Sequence, residues 1–169
     1  MIPVLSVVGY SNSGKTTLVE KLVRELKNRG YRVAVIKHHH GDFEIDKPGK
    51  DTWRHAEAGA DVVVMAAPRK IAVIEKLTAE RALDEVIGAV KNVDLIITEG
   101  YKKENKPKIE VFRSAVHRQI ITPVSELLAI ASDVPLHYGV PCLDIDNPGP
   151  IVDLIEDKLL HKSLPPHIH

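Results

Sequence analysis

Residues 9–17 read GYSNSGKTT, set between an apolar run, IPVLSVV (2–8), and LVEKLVRELKNRG (18–30). In the first flank Pro3 is tolerable only near the start of a strand, while Val4, Leu5, Val7 and Val8 suit a strand buried on both faces. In the second flank Leu18, Leu22 and Leu26 recur every four residues, with Val19 and Val23 beside them, which is one apolar face of a helix. Gly30 falls where helices commonly end on glycine. The quoted stretch is therefore a turn from a buried strand into an amphipathic helix.

The chemistry of such a turn is phosphate binding. Gly9 and Gly14 permit backbone conformations that side chains forbid and allow close approach to a ligand. Several backbone N–H groups among Gly9, Tyr10, Ser11, Asn12, Ser13, Gly14, Lys15, Thr16 and Thr17 can then point at one anion at the positive end of a helix. Lys15 adds a formal charge at the β- and γ-phosphates, Thr16 offers a hydroxyl to Mg²⁺, and Thr17 reaches toward the α-phosphate. The pattern G-x-x-x-x-G-K-[ST] in a strand–loop–helix context is the P-loop of nucleoside triphosphate-binding proteins.

Composition narrows the class. The 169 residues are enough for one domain with a proper core. Lys plus Arg and Asp plus Glu are both 23, giving no net charge with neutral histidine and no long basic run. Broad electrostatic binding to nucleic acid or to a membrane surface is not expected. A single cysteine, Cys142, excludes an internal disulfide framework and fits a reducing cytoplasm. The N-terminus enters a strand at once, without the features of a signal peptide, and no apolar run approaches the ~18–20 residues of a membrane span.

Along the chain, strands and helices alternate. Strands are expected at 31–37, 61–67, 70–76, 94–98, 108–113 (alternating), 127–131 and 141–145. Helices are expected at 51–59 with Asp51 as cap, from Thr78 as cap through Val90, and after Pro150. The tail 161–169 is expected to fray. Alternation with apolar central strands predicts an α/β fold: a mainly parallel sheet flanked by helices, with an extra β-hairpin region and one nucleotide-binding domain over 1–160. Ligands of such sheets sit beyond the carboxyl ends of the strands, so the residues there are the candidates.

Glu99 ends the strand DLIITEG and stands where P-loop proteins need an acid for Mg²⁺ or its water. Asp46, in the loop after the second strand, is a second candidate for the metal shell. Thr16, Asp46 and Glu99 form the candidate metal set, and Lys15, Glu99 and Asp46 the candidate catalytic set. The histidine run His38, His39 and His40 cannot point three consecutive side chains one way, so it is no simple three-ligand metal site. Either it is solvated, or it lies beside the nucleotide, where Lys37 or a histidine meets phosphate. Lys50, Arg54 and His55 face solvent or an anion equally well. Asp133 either accepts from guanine N1 and N2 or caps a turn before Pro135, and the usual guanine signature Asn-Lys-x-Asp is absent. No glutamine or arginine stands out in a recognisable motif for positioning water or stabilising leaving charge.

Taken together, GYSNSGKTTL (9–18), IKHHHGDFEIDKPGKDTWRHAEAGA (36–60), LIITEGYK (95–102) and IASDVP (130–135) resemble the molybdopterin-guanine dinucleotide biosynthesis protein B family. The resemblance runs from about Ile2 to Asp146. The P-loop is generic, and the KH-x-H…D-x-PGKD…R…AGA block carries most of the weight. Thr52-Trp53 departs from the expected serine and tyrosine-like residue without disturbing the site. The resemblance implies a P-loop fold, GTP with Mg²⁺, slow GTP hydrolysis and an intertwined homodimer. It also implies a helper role beside the molybdenum cofactor guanylyltransferase, which joins GMP to molybdopterin. It places Gly9 through Thr17 on the nucleotide and Asp46 and Glu99 near the metal. From the residues alone, a P-loop small-molecule kinase and a GTP-driven metal-insertion protein remain alternatives.

Overall fold

The computed structural model describes residues 1–160, so the expectation for the 161–169 tail lies outside the described residues. The chain forms two compact units: residues 1–38 together with the chain from Val86 onward, and His39–Glu85.

The first unit is built on a six-stranded, all-parallel sheet. Its strands are β1 (Val4–Val8), β2 (Val33–Lys37), β5 (Leu95–Glu99), β6 (Lys108–Phe112), β7 (Leu127–Ser132) and β8 (Cys142–Asp144), in the spatial order β2-β5-β1-β6-β7-β8. β1 therefore lies between β5, on which Val7 pairs with Glu99, and β6, on which Val8 pairs with Glu110. Helix α1 (Lys15–Asn28) follows the turn after β1. Its stripe of Leu18, Leu22 and Leu26 is fully buried, as the four-residue spacing requires, in one core with Leu5, Val7, Leu95, Ile97, Ile109 and Val111. The last helix, α4 (Pro148–Ile155), adds Ile151, Val152 and Ile155 to that core and runs on as a π-helical turn to Leu160.

The second unit holds a long loop, helix α2 (Asp51–Glu57) and the antiparallel hairpin β3 (Val62–Ala67) and β4 (Lys70–Glu75). Helix α3 (Leu83–Ala89) spans the boundary between the units.

Four local expectations are corrected. β6 does not alternate: all five residues are buried, because it is an interior strand paired on both edges. Its polar side chains are matched instead of exposed. Lys108 Nζ donates to Glu104 O at 2.7 Å and meets Glu126 Oε2 at 2.5 Å, while the Glu110 carboxylate accepts from the N–H groups of Ile121 and Thr122, each at 2.8 Å. Thr78 caps nothing, because α3 begins at Leu83, where the Glu85 carboxylate reaches back to the Ala82 N–H at 2.9 Å. Lys50, not Asp51, is the N-cap of α2, and Asp51 contributes its charge to the first turn. The final helix starts at Pro148, a position that tolerates proline because the missing N–H would have had no helical partner.

Candidate functional site

The carboxyl ends of β1, β5 and β6 meet at the turn 9–14. Gly9 has φ 141° and Gly14 φ 93°, both closed to ordinary side chains. Asn12, at φ 60°, is one of the few non-glycine types that accept this region readily. The close approach at Gly9 is severe: a Cβ placed there would lie 2.7 Å from the Val111 carbonyl oxygen and 3.0 Å from Ser13 Oγ. The first helical bond of α1 runs from Leu18 N–H to Gly14 O at 3.0 Å, and the helix start carries neither a side-chain cap nor an acid in its first turn. Its N–H groups thus keep their affinity for an anion. Ser13 is fully buried, and its Oγ has no hydrogen-bond partner among the described residues. Such a buried hydroxyl, in a glycine turn that leads into an uncapped helix N-terminus, fits a polyphosphate.

Lys15 folds back over the turn. Its Nζ donates to Tyr10 O at 2.6 Å and to Gly9 O at 3.2 Å. Burial lowers its pKa below the ordinary lysine value; Glu99 opposes this, and the charges of Lys37 and Lys102 add to it. Cations therefore gather around one acid in a chain with no net charge, and an anionic ligand would relieve their repulsion.

Thr16 and Glu99 are brought together across 83 residues of sequence: Thr16 Oγ1 donates to Glu99 Oε1 at 2.7 Å. Lys37 Nζ stands 3.5 Å from the same oxygen. Glu99 is only 7% exposed, so this carboxylate is held in place rather than loose in solvent. A hydroxyl and a carboxylate oxygen at the end of a phosphate cradle are the hard donors that Mg²⁺ prefers.

The other expected residues are placed as follows. Asp46 lies in the second unit, where its Oδ1 accepts from the Lys47 N–H at 2.9 Å. The histidines diverge. His38 rests against Tyr101 with ring centroids 4.6 Å apart, and the His39 ring turns back to the Gly41 backbone, with Nδ1 3.0 Å from O and 3.2 Å from N. Among the described residues no group of three or more His, Cys, Asp and Glu side chains could hold a metal ion. Asp133 leaves β7 and accepts from Ser114 N–H at 2.9 Å and Ser114 Oγ at 3.0 Å. These bonds, the backbone one first, hold its carboxyl below the usual aspartate range. Any guanine contact by Asp133 would share acceptors already engaged with Ser114.

Sequence reasoning missed the turn that follows β6. Residues 113–117 close on themselves through Val116 N–H and His117 N–H to Arg113 O, at 3.0 and 2.9 Å. The turn meets the phosphate loop at two points. His117 is stacked on Tyr10, with centroids 4.6 Å apart and 16° between planes, and a Cβ placed on Gly14 would lie 3.6 Å from Arg113 Nε and 3.7 Å from its Nη2. Between Tyr10, Ser11 and residues 116–119 lies an open cavity of about 480 Å³. The only sequence signal was a cation and a histidine just past a strand, and it pointed nowhere without the strand order.

The chain is similar to known proteins over most of its length. Residues 4–133 match the family model described as molybdopterin guanine dinucleotide synthesis protein B. A molybdopterin-guanine dinucleotide biosynthesis adapter protein of Haemophilus influenzae is 41% identical over 167 residues, covering 95% of this chain and 91% of its own length. The Escherichia coli protein of the same description is 38% identical, covering 92% of each. The crystal structure of Bacillus subtilis MobB superposes with a TM-score of 0.75 at 28% identity, over 94% of this chain and 98% of that one.

Proposed function

Because the chain belongs to the molybdopterin guanine dinucleotide synthesis protein B family, we propose that it is a GTP-binding adaptor of molybdenum cofactor biosynthesis, assisting the conversion of molybdopterin to molybdopterin guanine dinucleotide. The observation that carries the nucleotide part is the Thr16–Glu99 hydrogen bond at 2.7 Å beside the Lys15-covered phosphate turn. It joins the helix that receives the phosphates to the strand that supplies the acid.

The residues fit GTP with Mg²⁺. The turn 9–17 would hold the phosphates, Thr16 would offer its hydroxyl to the metal, and Glu99 would bind the metal or a water on it. Mg²⁺, when bound, neutralises charge on the phosphate oxygens. Glu99 accepts from the Thr16 hydroxyl at Oε1 and would be the group that orients the attacking water. Lys15 gives up the carbonyls of Gly9 and Tyr10 to meet phosphate. Lys37, at the same carboxylate, steadies charge at that end. Asp46 is proposed as a further contributor to the metal shell, and Asp133 as a residue of the base end. Slow hydrolysis, a cytoplasmic location and the guanylyltransferase as partner belong to the same proposal. Among the described residues, no helix is long and apolar enough to cross a membrane.

A homodimer through the hairpin is part of the reading. Ile71 is 68% exposed, and Val64 and Val73 are 57% exposed, so the β3–β4 hairpin presents large aliphatic side chains to solvent. Burying such a surface against a second copy would remove it from water.

Thr16→Ala is expected to weaken the magnesium dependence of GTP binding several-fold, roughly the 1–1.5 kcal/mol of one polar contact, as read by calorimetric titration with and without Mg²⁺. Glu99→Gln should lower hydrolysis more than binding. Unchanged magnesium dependence in Thr16→Ala would move the metal elsewhere. The function itself is tested by reconstitution. Cofactor maturation by the guanylyltransferase with GTP should be faster with this protein present, and the gain should vanish with Lys15→Ala. No gain, together with rapid phosphate transfer to a small acceptor, would instead make the protein a kinase.

A further inference from the structure

The phosphate turn has two flanks, and they differ. On the β5 side stand Glu99, Thr16 and Lys37, joined around a single carboxylate oxygen. That is the end suited to Mg²⁺ and to the reacting phosphate. On the opposite side of β1 comes β6, then β7 and β8 outward. The residues that leave these strands are Arg113, Asp133 and, just beyond Asp144, Asp146.

Arg113 is the one that touches the turn. Its half-buried guanidinium lies against the bare Cα of Gly14, the residue from which α1 starts. Its backbone is fixed from three directions. The Arg113 N–H donates to His117 Nδ1 at 3.4 Å, its carbonyl accepts from Val116 and His117, and Asp133 clamps the next residue, Ser114, through both N–H and Oγ. The backbone that carries this guanidinium is thus held in place, and the guanidinium itself is located by its closeness to Gly14. Its charge is also felt further out: after the Ser114 bonds at Asp133 and the Lys21 ion pair at Asp146, Arg113 adds to the depression of both carboxyls.

We infer that Arg113 is a nucleotide-binding residue that holds the nucleoside monophosphate half of the ligand, opposite to the metal end. With the terminal phosphate at Glu99, a bound triphosphate crosses the turn and places its α-phosphate and base over the β6–β8 side. A planar guanidinium beside Gly14 suits both parts: it donates to phosphate oxygens in a fixed fork and lies flat against an aromatic base. Asp133 then acts as a positioning residue for this arginine through Ser114. The inference rests on the P-loop reading of the proposed function and adds the residue that grips the part of the ligand common to GMP, GDP and GTP.

The test is competition by GMP, GDP and GTP against a fluorescent GTP analogue, for the native protein, Arg113→Ala and Lys15→Ala. Arg113→Ala is expected to weaken all three nucleotides by a similar factor, about ten-fold, the scale of one charged hydrogen bond. Lys15→Ala should instead lose more affinity with each added phosphate. Thermal melting checks that the Arg113 variant is folded. If it is not, Arg113→Lys, which keeps the stem and the charge, gives the same readout with a smaller, still uniform loss. A loss that grows from GMP to GTP, or no loss at all, overturns the assignment. If Lys15→Ala also keeps its affinity for GTP, the phosphate-turn reading itself fails; if only the arginine variants are silent, that reading stands without Arg113.

Discussion

Gly9→Ala is expected to lower the stability of the fold by roughly 2–4 kcal/mol and to abolish triphosphate binding even in the molecules that remain folded. Two costs combine. The φ of 141° at Gly9 lies where an L side chain is strained, about 1–3 kcal/mol. The added methyl would also stand 2.7 Å from the Val111 carbonyl oxygen, backbone of an interior strand that cannot swing aside as a side-chain tip can. Relieving that clash means separating β1 from β6 or distorting the turn, a further overpacking cost on the order of 1 kcal/mol or more. For a domain of this size each kcal/mol moves the melting point by about 2–4 °C, so a fall of roughly 5–15 °C should appear in a thermal scan. A variant that melts with the native protein and still binds GTP would show that the turn has slack this geometry denies. Gly149→Ala is a useful control, because a Cβ there would find its nearest neighbour, Asn147 Oδ1, at an ordinary 3.5 Å.

Lys15→Ala should reduce GTP affinity about ten- to a hundred-fold, the roughly 1.5–3 kcal/mol of a charged hydrogen bond, while leaving the fold almost intact. Here the structure adds a term of opposite sign. Lys15 Nζ is bonded to the carbonyls of Tyr10 and Gly9, and phosphate has to compete with those contacts for the ammonium. The native affinity is already net of that exchange, so the variant loses the difference and not the whole phosphate contact. The two carbonyls it leaves behind sit at a partly open surface where water can replace the lysine, so the cost in stability is small. Calorimetric titration with GTP, with a melting curve beside it, separates the two effects. Native-like GTP affinity in Lys15→Ala would remove the lysine from the phosphate site.

Much of this molecule was legible in its residues because the signals were local. A glycine–lysine–threonine turn between a buried strand and a four-residue leucine stripe has one good solution, and Gly9, Gly14, Leu18, Leu22 and Leu26 all behave as that solution demands. The alternation of apolar strands with helices announced a parallel sheet, and the sheet has six parallel strands. Where local patterns misled, packing had overridden them. KIEVF reads as a half-exposed alternating strand, yet Lys108 and Glu110 are buried because their partners, Glu126 and the N–H groups of Ile121 and Thr122, arrive from elsewhere in the chain. Thr78 looked like a cap, but the helix starts only at Leu83, where Glu85 reaches back to the Ala82 N–H.

What the sequence determined by itself was the phosphate turn, its lysine and hydroxyl, and the fold class, since each depends on backbone geometry and periodicity within about twenty residues. What only the tertiary structure decided was which strand ends stand beside that turn. Strand order is not written in periodicity, because any buried parallel strand of similar length can occupy any interior place in a sheet. The order β2-β5-β1-β6-β7-β8 put Glu99 against Thr16 on one flank and Arg113 against Gly14 on the other. The acid was expected near the site and the arginine was not, because a strand-end acid belongs to a known pattern while a strand-end arginine acquires meaning only from the neighbour that the fold gives it.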